Sequence, residues 1–190
     1  MTAKIARRGL AEGEREVFHA ANTLPRAADP AVWVPMQYGT IGAVPTLGGL
    51  ALLLRRPRLG GALAVGGATA WVLAKVVKRV VERERPYRIL ELVEVRGKEE
   101  GDLGYPSGHA AVSAALSMAA LPYLGSPGKV AAAGLAGFVS FARIYVGVHL
   151  PLDVIGGASL GVTLSSAANL LLGVEERPAS PPTRWRRRRR

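Results

Sequence analysis

Lys78 and Arg85, then Ser107, Gly108 and His109, then Arg143, His149 and Asp153 form three short clusters whose side chains suit the handling of a phosphoryl group. A lysine offers a point charge and two arginines offer planar forks, which together match the oxygens of a phosphate. Pro106-Ser107-Gly108 reads as a turn entering a helix, and the free N–H groups at a helix start are a ready site for an anion. His149 has a ring nitrogen that can act as a nucleophile. Asp153, four residues on, can orient that imidazole and stabilise its charge. Pro151 favours a helix beginning just after His149. His109 ionises near neutrality in its unperturbed form, so it can protonate a leaving oxygen. Each residue alone has a plainer reading: Lys78 and Arg85 as snorkelling cations, His109 as a structural residue, Arg143 as an ion-pair partner of Asp153. All of those plain readings holding together, at these spacings, is the less economical account.

The elements that must carry these clusters are apolar and long. The chain has 190 residues, of which 49% are hydrophobic, and residues 130–142 and 154–174 carry no charge. Reading for runs of about 17–25 apolar residues gives about five: 32–54, 59–77, 108–124, 130–148 and 152–173. The expected fold is an all-α, polytopic membrane helix bundle of about five spans. Ionisable groups at the ends of such spans are expensive, which makes them candidates for function. Gly157 and Gly161 form a small-xxx-small face suited to close helix packing.

Three regions follow. Residues 1–31 mix charge with apolar side chains and read as an amphipathic, interfacial segment. Residues 32–173 form the membrane domain, and 174–190 a basic cytoplasmic tail. The first sixteen residues lack an apolar core of signal-peptide length, so no cleavable leader is expected. The absence of cysteine excludes disulfides and thiolate metal sites. A net charge of +11 and the arginines from Arg186 to Arg190 also occur in nucleic-acid tails, but beside membrane spans they read as a cytoplasmic flank, with no nucleic-acid partner. The loop 87–105 is polar and is expected to lie in water. Lys75, Arg79, Arg83, Tyr87, Arg88 and Tyr105 lie near the clusters without matching their pattern.

Counting crossings puts all three clusters on one face. The opposite face receives Arg55, Arg56, Arg58, Lys129, Arg177, Arg184 and the terminal arginines. By the positive-inside rule that second face is cytoplasmic, so the clusters are expected on the extracytoplasmic side of a plasma membrane of bacterial type.

In order, spacing and placement the clusters resemble the signature of the type 2 phosphatidic acid phosphatase superfamily: Lys-x6-Arg-Pro, Pro-Ser-Gly-His and Ser-Arg-x5-His-x3-Asp. The resemblance covers about 59–173. It implies a phosphatase that needs no metal or other cofactor and passes through a phosphohistidine. His149 would be the nucleophile with Asp153 behind it, and His109 the acid and then the base that activates water. Lys78, Arg85, Ser107, Gly108 and Arg143 would bind the phosphate of a lipid substrate drawn from the surrounding membrane lipids. The substrate could be phosphatidate, phosphatidylglycerol phosphate, a polyprenyl phosphate or diphosphate, or a polyprenyl phosphosugar. The pattern fails at one position, because Ala142 stands where the family has serine. The missing hydroxyl could remove a hydrogen bond worth about 0.5–1.5 kcal/mol. The same signature also fits lipid phosphotransferases and vanadate haloperoxidases. A non-catalytic lipid-binding or transport protein is the reading from a different class.

Overall fold

The computed structural model describes residues 12–174. The expected basic tail lies outside the described residues apart from Val174. Every element is helical, and among the described residues the backbone pairs in extended form only at one isolated bridge, Glu84 to Leu103. In chain order the α-helices are α1 (Glu12–Asn22), α2 (Asp29–Met36), α3 (Ala43–Leu53), α4 (Pro57–Val81), α5 (Pro86–Ile89), α6 (Gly108–Ala120), α7 (Ser126–Tyr145) and α8 (Pro151–Leu171).

The helix boundaries follow local chemistry. Pro57 and Pro151 stand at the starts of α4 and α8, where the missing N–H has no partner to lose. Ser107 caps α6 by accepting the Ala110 N–H at 3.4 Å. At the start of α8, the Asp153 carboxylate accepts the Leu150 N–H at 2.9 Å. α4 stops where Glu82 turns left-handed, at φ 51°.

α6 is the axial helix, buried along almost its whole length and packed against α4, α7 and α8. Part of its contact with α4 is made of alanines, Ala111 and Ala115 against Ala70 and Ala74, and the rest includes Val112 and Leu116 against Ala62 and Leu63. Its contact with α8 is closer still. A Cβ added at Gly157 would lie 2.3 Å from the Ser107 carbonyl oxygen, and one at Gly161 would lie 2.1 Å from that of Ala111. Only glycine permits this approach, which is how apolar helices pack when no solvent drives them together. Large apolar side chains point outward instead, among them Leu53, Val80, Leu170 and Leu171.

Among the described residues, two helices are long and apolar enough to cross a membrane, α4 and α8. At about 1.5 Å per residue they measure about 37 and 31 Å, against a hydrocarbon core of about 30 Å. The other three apolar stretches take different forms. Residues 32–54 do not make one helix: the chain leaves α2, passes through a 3-10 turn at Gln37–Gly39, and restarts as α3. The break is seated where Gly39 meets α6, since a Cβ there would lie 2.7 Å from the His109 carbonyl oxygen. The apolar stretch from 108 forms α6 and a 3-10 turn at Leu121–Tyr123, and α7 covers most of the stretch from 130.

The loop 87–105 is not simply solvated. Arg96 is 4% exposed and donates to the carbonyls of Asn22 and Leu24, each at 2.8 Å, while its guanidinium stacks 4.1 Å above the Tyr145 ring. Asn22 at the end of α1 exchanges hydrogen bonds with the Glu94 backbone. α1 is therefore tied to this loop, and its Phe18 is fully buried in a cluster with Ala110, Ile144, Leu150 and Val154.

Candidate active site

All eight residues singled out from sequence come to one end of the bundle. Lys78 is in the last turn of α4, Ser107 caps α6 and Gly108 and His109 begin it, Arg143 is in the last turn of α7, Asp153 is in the first turn of α8, and Arg85 and His149 sit in the connecting loops. A cavity of about 520 Å³ opens there, lined by Lys78, Arg85, Gly108, His109 and His149, together with Glu100, Lys75, Trp71 and Ile41. The other three predicted residues stand around it. Asp153 lies behind His149, Ser107 is buried under the start of α6, and Arg143 reaches toward the cavity through Glu100.

His149 and Asp153 are 1% and 0% exposed. Nδ1 of His149 lies 3.4 Å from Oδ2 of Asp153, and Nε2 lies 3.3 Å from Nη1 of Arg85. These partners fix the tautomer. An arginine only donates, and an ionised carboxylate only accepts. The proton therefore sits on Nδ1, facing Asp153, and the lone pair sits on Nε2. Burial, with the charges of Arg143, Arg85 and Lys78 adding to it, pushes the His149 imidazole well below its usual range. At neutral pH it is uncharged, which is the form a nucleophile needs. The turn that delivers it depends on Gly147, at φ +80°, where a Cβ would meet the Glu94 carbonyl oxygen at 2.4 Å.

The cations are held in place. Lys78 Nζ donates to the carbonyls of Leu103 and Gly104 at 3.2 and 2.8 Å. Arg85 Nη1 donates to the Val148 carbonyl at 2.7 Å. Arg143 Nη1 points at the Met36 sulfur, 3.6 Å away. The Nε atoms of Arg85 and Arg143 are buried and, among the described residues, have no hydrogen-bond partner. Buried donors are rarely left so. Ala142, the departure from the family pattern, is fully buried in an apolar cluster with Val32, Met36 and Tyr145.

Two residues that sequence reasoning left aside are part of this end of the bundle. Glu100 lies across both forks, with Oε1 2.6 Å from Arg143 Nη2 and Oε2 3.4 Å from Arg85 Nη2. Burial alone would raise its carboxyl, but the charge and hydrogen bond of Arg143, with Arg85 adding to them, hold it at about 2. Nothing in the sequence separates Glu100 from its neighbour Glu99. Arg83 donates to Asp153 Oδ1 at 2.7 Å. Its trace in the sequence is the alternation Arg83-Glu84-Arg85: in extended chain, residues two apart face the same way, and the bridge at Glu84 marks this stretch as extended.

The family model of the PAP2 superfamily matches residues 58–175. The chain is 35% identical over 137 residues to an undecaprenyl-diphosphatase of Sulfolobus acidocaldarius, a match that covers 70% of this chain and 60% of that protein. Among solved structures, Aquifex aeolicus LpxE superposes with a TM-score of 0.77 at 22% identity, over 84% of this chain and 96% of that one. A transmembrane PAP2 type phosphatidylglycerolphosphate phosphatase from Bacillus subtilis superposes with a TM-score of 0.71 at 23% identity, over 89% of both chains. At those identities the two structures speak for the fold.

Proposed function

The chain belongs to the PAP2 superfamily, and from that membership we propose that it is a membrane lipid phosphatase working through a phosphohistidine on His149, without a metal. The observation that carries this reading is the setting of His149. Its Nδ1 lies against the Asp153 carboxylate and its Nε2 against Arg85, beside a cavity lined by Lys78, Arg85 and His109.

The phosphate of a lipid replaces the Glu100 carboxylate on Arg85 and Arg143, and its oxygens take up the two buried Nε donors. Lys78 and the N–H groups at the start of α6 complete the cradle. His109 takes up a proton as the anionic phosphate enters the cavity; His149 Nε2 then attacks phosphorus, and His109 gives that proton to the departing lipid oxygen. The imidazole then carries both the phosphoryl group and a positive charge, which the Asp153 carboxylate offsets through Nδ1–H. His109, now neutral, takes a proton from water, the water attacks phosphorus, and phosphate leaves with His149 restored. The arginine forks spread the equatorial charge in both steps.

The exposed apolar surface of α3, α4 and α8 supports a membrane setting in which α4 and α8 cross outright and the remaining apolar helices complete about five passages. Arg55, Arg56 and Arg58 lie at the opposite end from the cavity, which supports an extracytoplasmic active face by the positive-inside rule. Similarity extends to relatives named for a polyprenyl diphosphate and for phosphatidylglycerol phosphate, so both lipid classes belong in the assay. The test is phosphate release by the purified protein from phosphatidate, phosphatidylglycerol phosphate, a polyprenyl phosphate and a polyprenyl diphosphate. Release from at least one, undiminished by EDTA and abolished by His149→Ala, is the expected result. No release from any of the four overturns the reading, and loss of activity with EDTA overturns its metal-free chemistry.

A further inference from the structure

We propose that Arg83 is a positioning residue for this reaction: it fixes the Asp153 carboxylate that serves His149, and Glu14 of α1 fixes Arg83 in turn. The inference rests on the phosphohistidine reading. The two oxygens of Asp153 are divided between separate tasks. Oδ2 faces His149 Nδ1 and accepts the Leu150 N–H, while Oδ1 accepts Arg83 Nη1 at 2.7 Å. The other arm of the same guanidinium, Nη2, donates to Glu14 Oε2 at 2.7 Å. Glu14 Oε1 accepts the Leu152 N–H at 3.0 Å, one of the free donors at the start of α8. The result is an alternating chain of charges, Glu14–Arg83–Asp153, ending on the catalytic imidazole. Its side chains are 4%, 19% and 0% exposed.

Arg83 differs from its neighbours in what it reaches. Lys78 and Arg85 line the cavity, whereas Arg83 does not, so it acts through Asp153 and not on the phosphate. Its backbone is pinned as well, because its carbonyl accepts the Gly104 N–H at 2.7 Å. Gly104 closes the remaining side of the carboxylate, where a Cβ would lie 2.9 Å from Asp153 Oδ2.

The physical need is specific to this chemistry. A buried carboxylate beside an uncharged imidazole has no counter-charge, and such a group is costly to keep ionised. Arg83 supplies that charge before the imidazole becomes positive. It also holds the plane of the carboxylate, so that Oδ2 stays on Nδ1 while phosphorus is transferred. Glu14 restrains Arg83 from the other side, and α1 thereby reaches the catalytic pair.

The experiment uses the full-length chain in detergent with whichever lipid phosphate the wild type hydrolyses. Arg83→Met is expected to lower kcat by about tenfold or more, as loss of an orienting partner does. KM is expected to stay within about threefold, since binding of the ground state is spared. Arg83→Lys should recover part of kcat, and Glu14→Gln should lower kcat by a smaller factor. In an Asp153→Asn background, Arg83→Met should cost nothing further, because a residue acting through Asp153 has nothing left to act on. An undiminished kcat in Arg83→Met overturns the inference, and so does an equal loss in both backgrounds. A raised KM at unchanged kcat also overturns it, by making Arg83 a phosphate ligand. If Arg83→Met does not fold, Arg83→Lys and Glu14→Gln decide: wild-type kcat in both overturns the inference. A wild type that releases no phosphate overturns the phosphatase reading itself, whereas an active wild type with an indifferent Arg83 overturns this inference alone.

Discussion

In the proposed reaction, Glu100 holds the arginines that the substrate's phosphate would take. It bridges the forks of Arg143 and Arg85, so on this proposal a substrate displaces it. Arg143 and Arg85 hold its carboxyl at about 2, so in the proposed reaction it is an ionised competitor of phosphate near neutral pH. Glu100→Gln is therefore expected to tighten competitive inhibition by inorganic phosphate by about fivefold, close to 1 kcal/mol; an unchanged or weaker inhibition constant would show that Glu100 and phosphate do not share the arginines. His149 makes a second prediction at this scale. Its pKa is depressed, so the folded state holds fewer protons there than the unfolded chain, and its contribution to stability is present above about 6.5 and is lost as pH falls below it. The chain has three histidines, so ring NMR, assigned with His149→Gln, is practical: the His149 ring should remain neutral at pH 6. At this scale the sequence was informative where charge is expensive. His149, Asp153 and Arg143 stand out against apolar runs. Arg83 and Glu100 lie in polar stretches where charges are ordinary, and only tertiary contacts separate them from Arg79 or Glu99.

The elements explain why the site holds its shape. α6 carries Ser107 to His109, and its register against α8 is set by Gly157 and Gly161. Gly161→Leu puts a side chain into the α6 backbone. Overpacking costs about 1–3 kcal/mol where the core can adjust, and a Cβ 2.1 Å from a carbonyl oxygen leaves little room to do so. A lower midpoint in detergent thermal unfolding is expected, together with lost activity, whereas Gly134→Ala on the open side of α7 should change neither. The glycine spacing was visible in the sequence as a packing face, without its partner. The apolar stretch 32–54 was misleading as a continuous helix. Composition records its apolarity but not the contact of Gly39 with α6, which seats the break. The loop 87–105 misled in the opposite direction, because Arg96 is buried by its hydrogen bonds to α1 and by the Tyr145 ring, partners distant in sequence.

For the whole molecule, the proposal fixes which end faces which compartment. The chain has no cysteine, so single cysteines can be introduced without background. In intact cells, an impermeant maleimide should label Glu99→Cys, in the exposed loop beside the cavity, and should leave Arg58→Cys unlabelled until the membrane is opened. The reverse pattern would turn the active face toward the cytoplasm. The helical class and the convergence of the three clusters at one end were readable from apolar run lengths, since each crossing reverses direction. Run lengths alone do not fix the number of full crossings, because α6 is short and residues 32–54 are divided between two helices.

The most direct test of the central claim is to trap the intermediate. Enzyme mixed with a lipid substrate carrying labelled phosphate should be denatured within a turnover and digested. Acid-labile, base-stable label is expected on the peptide containing His149, and none in His149→Ala. Label on another residue, or turnover with no labelled protein at any time point, would contradict it.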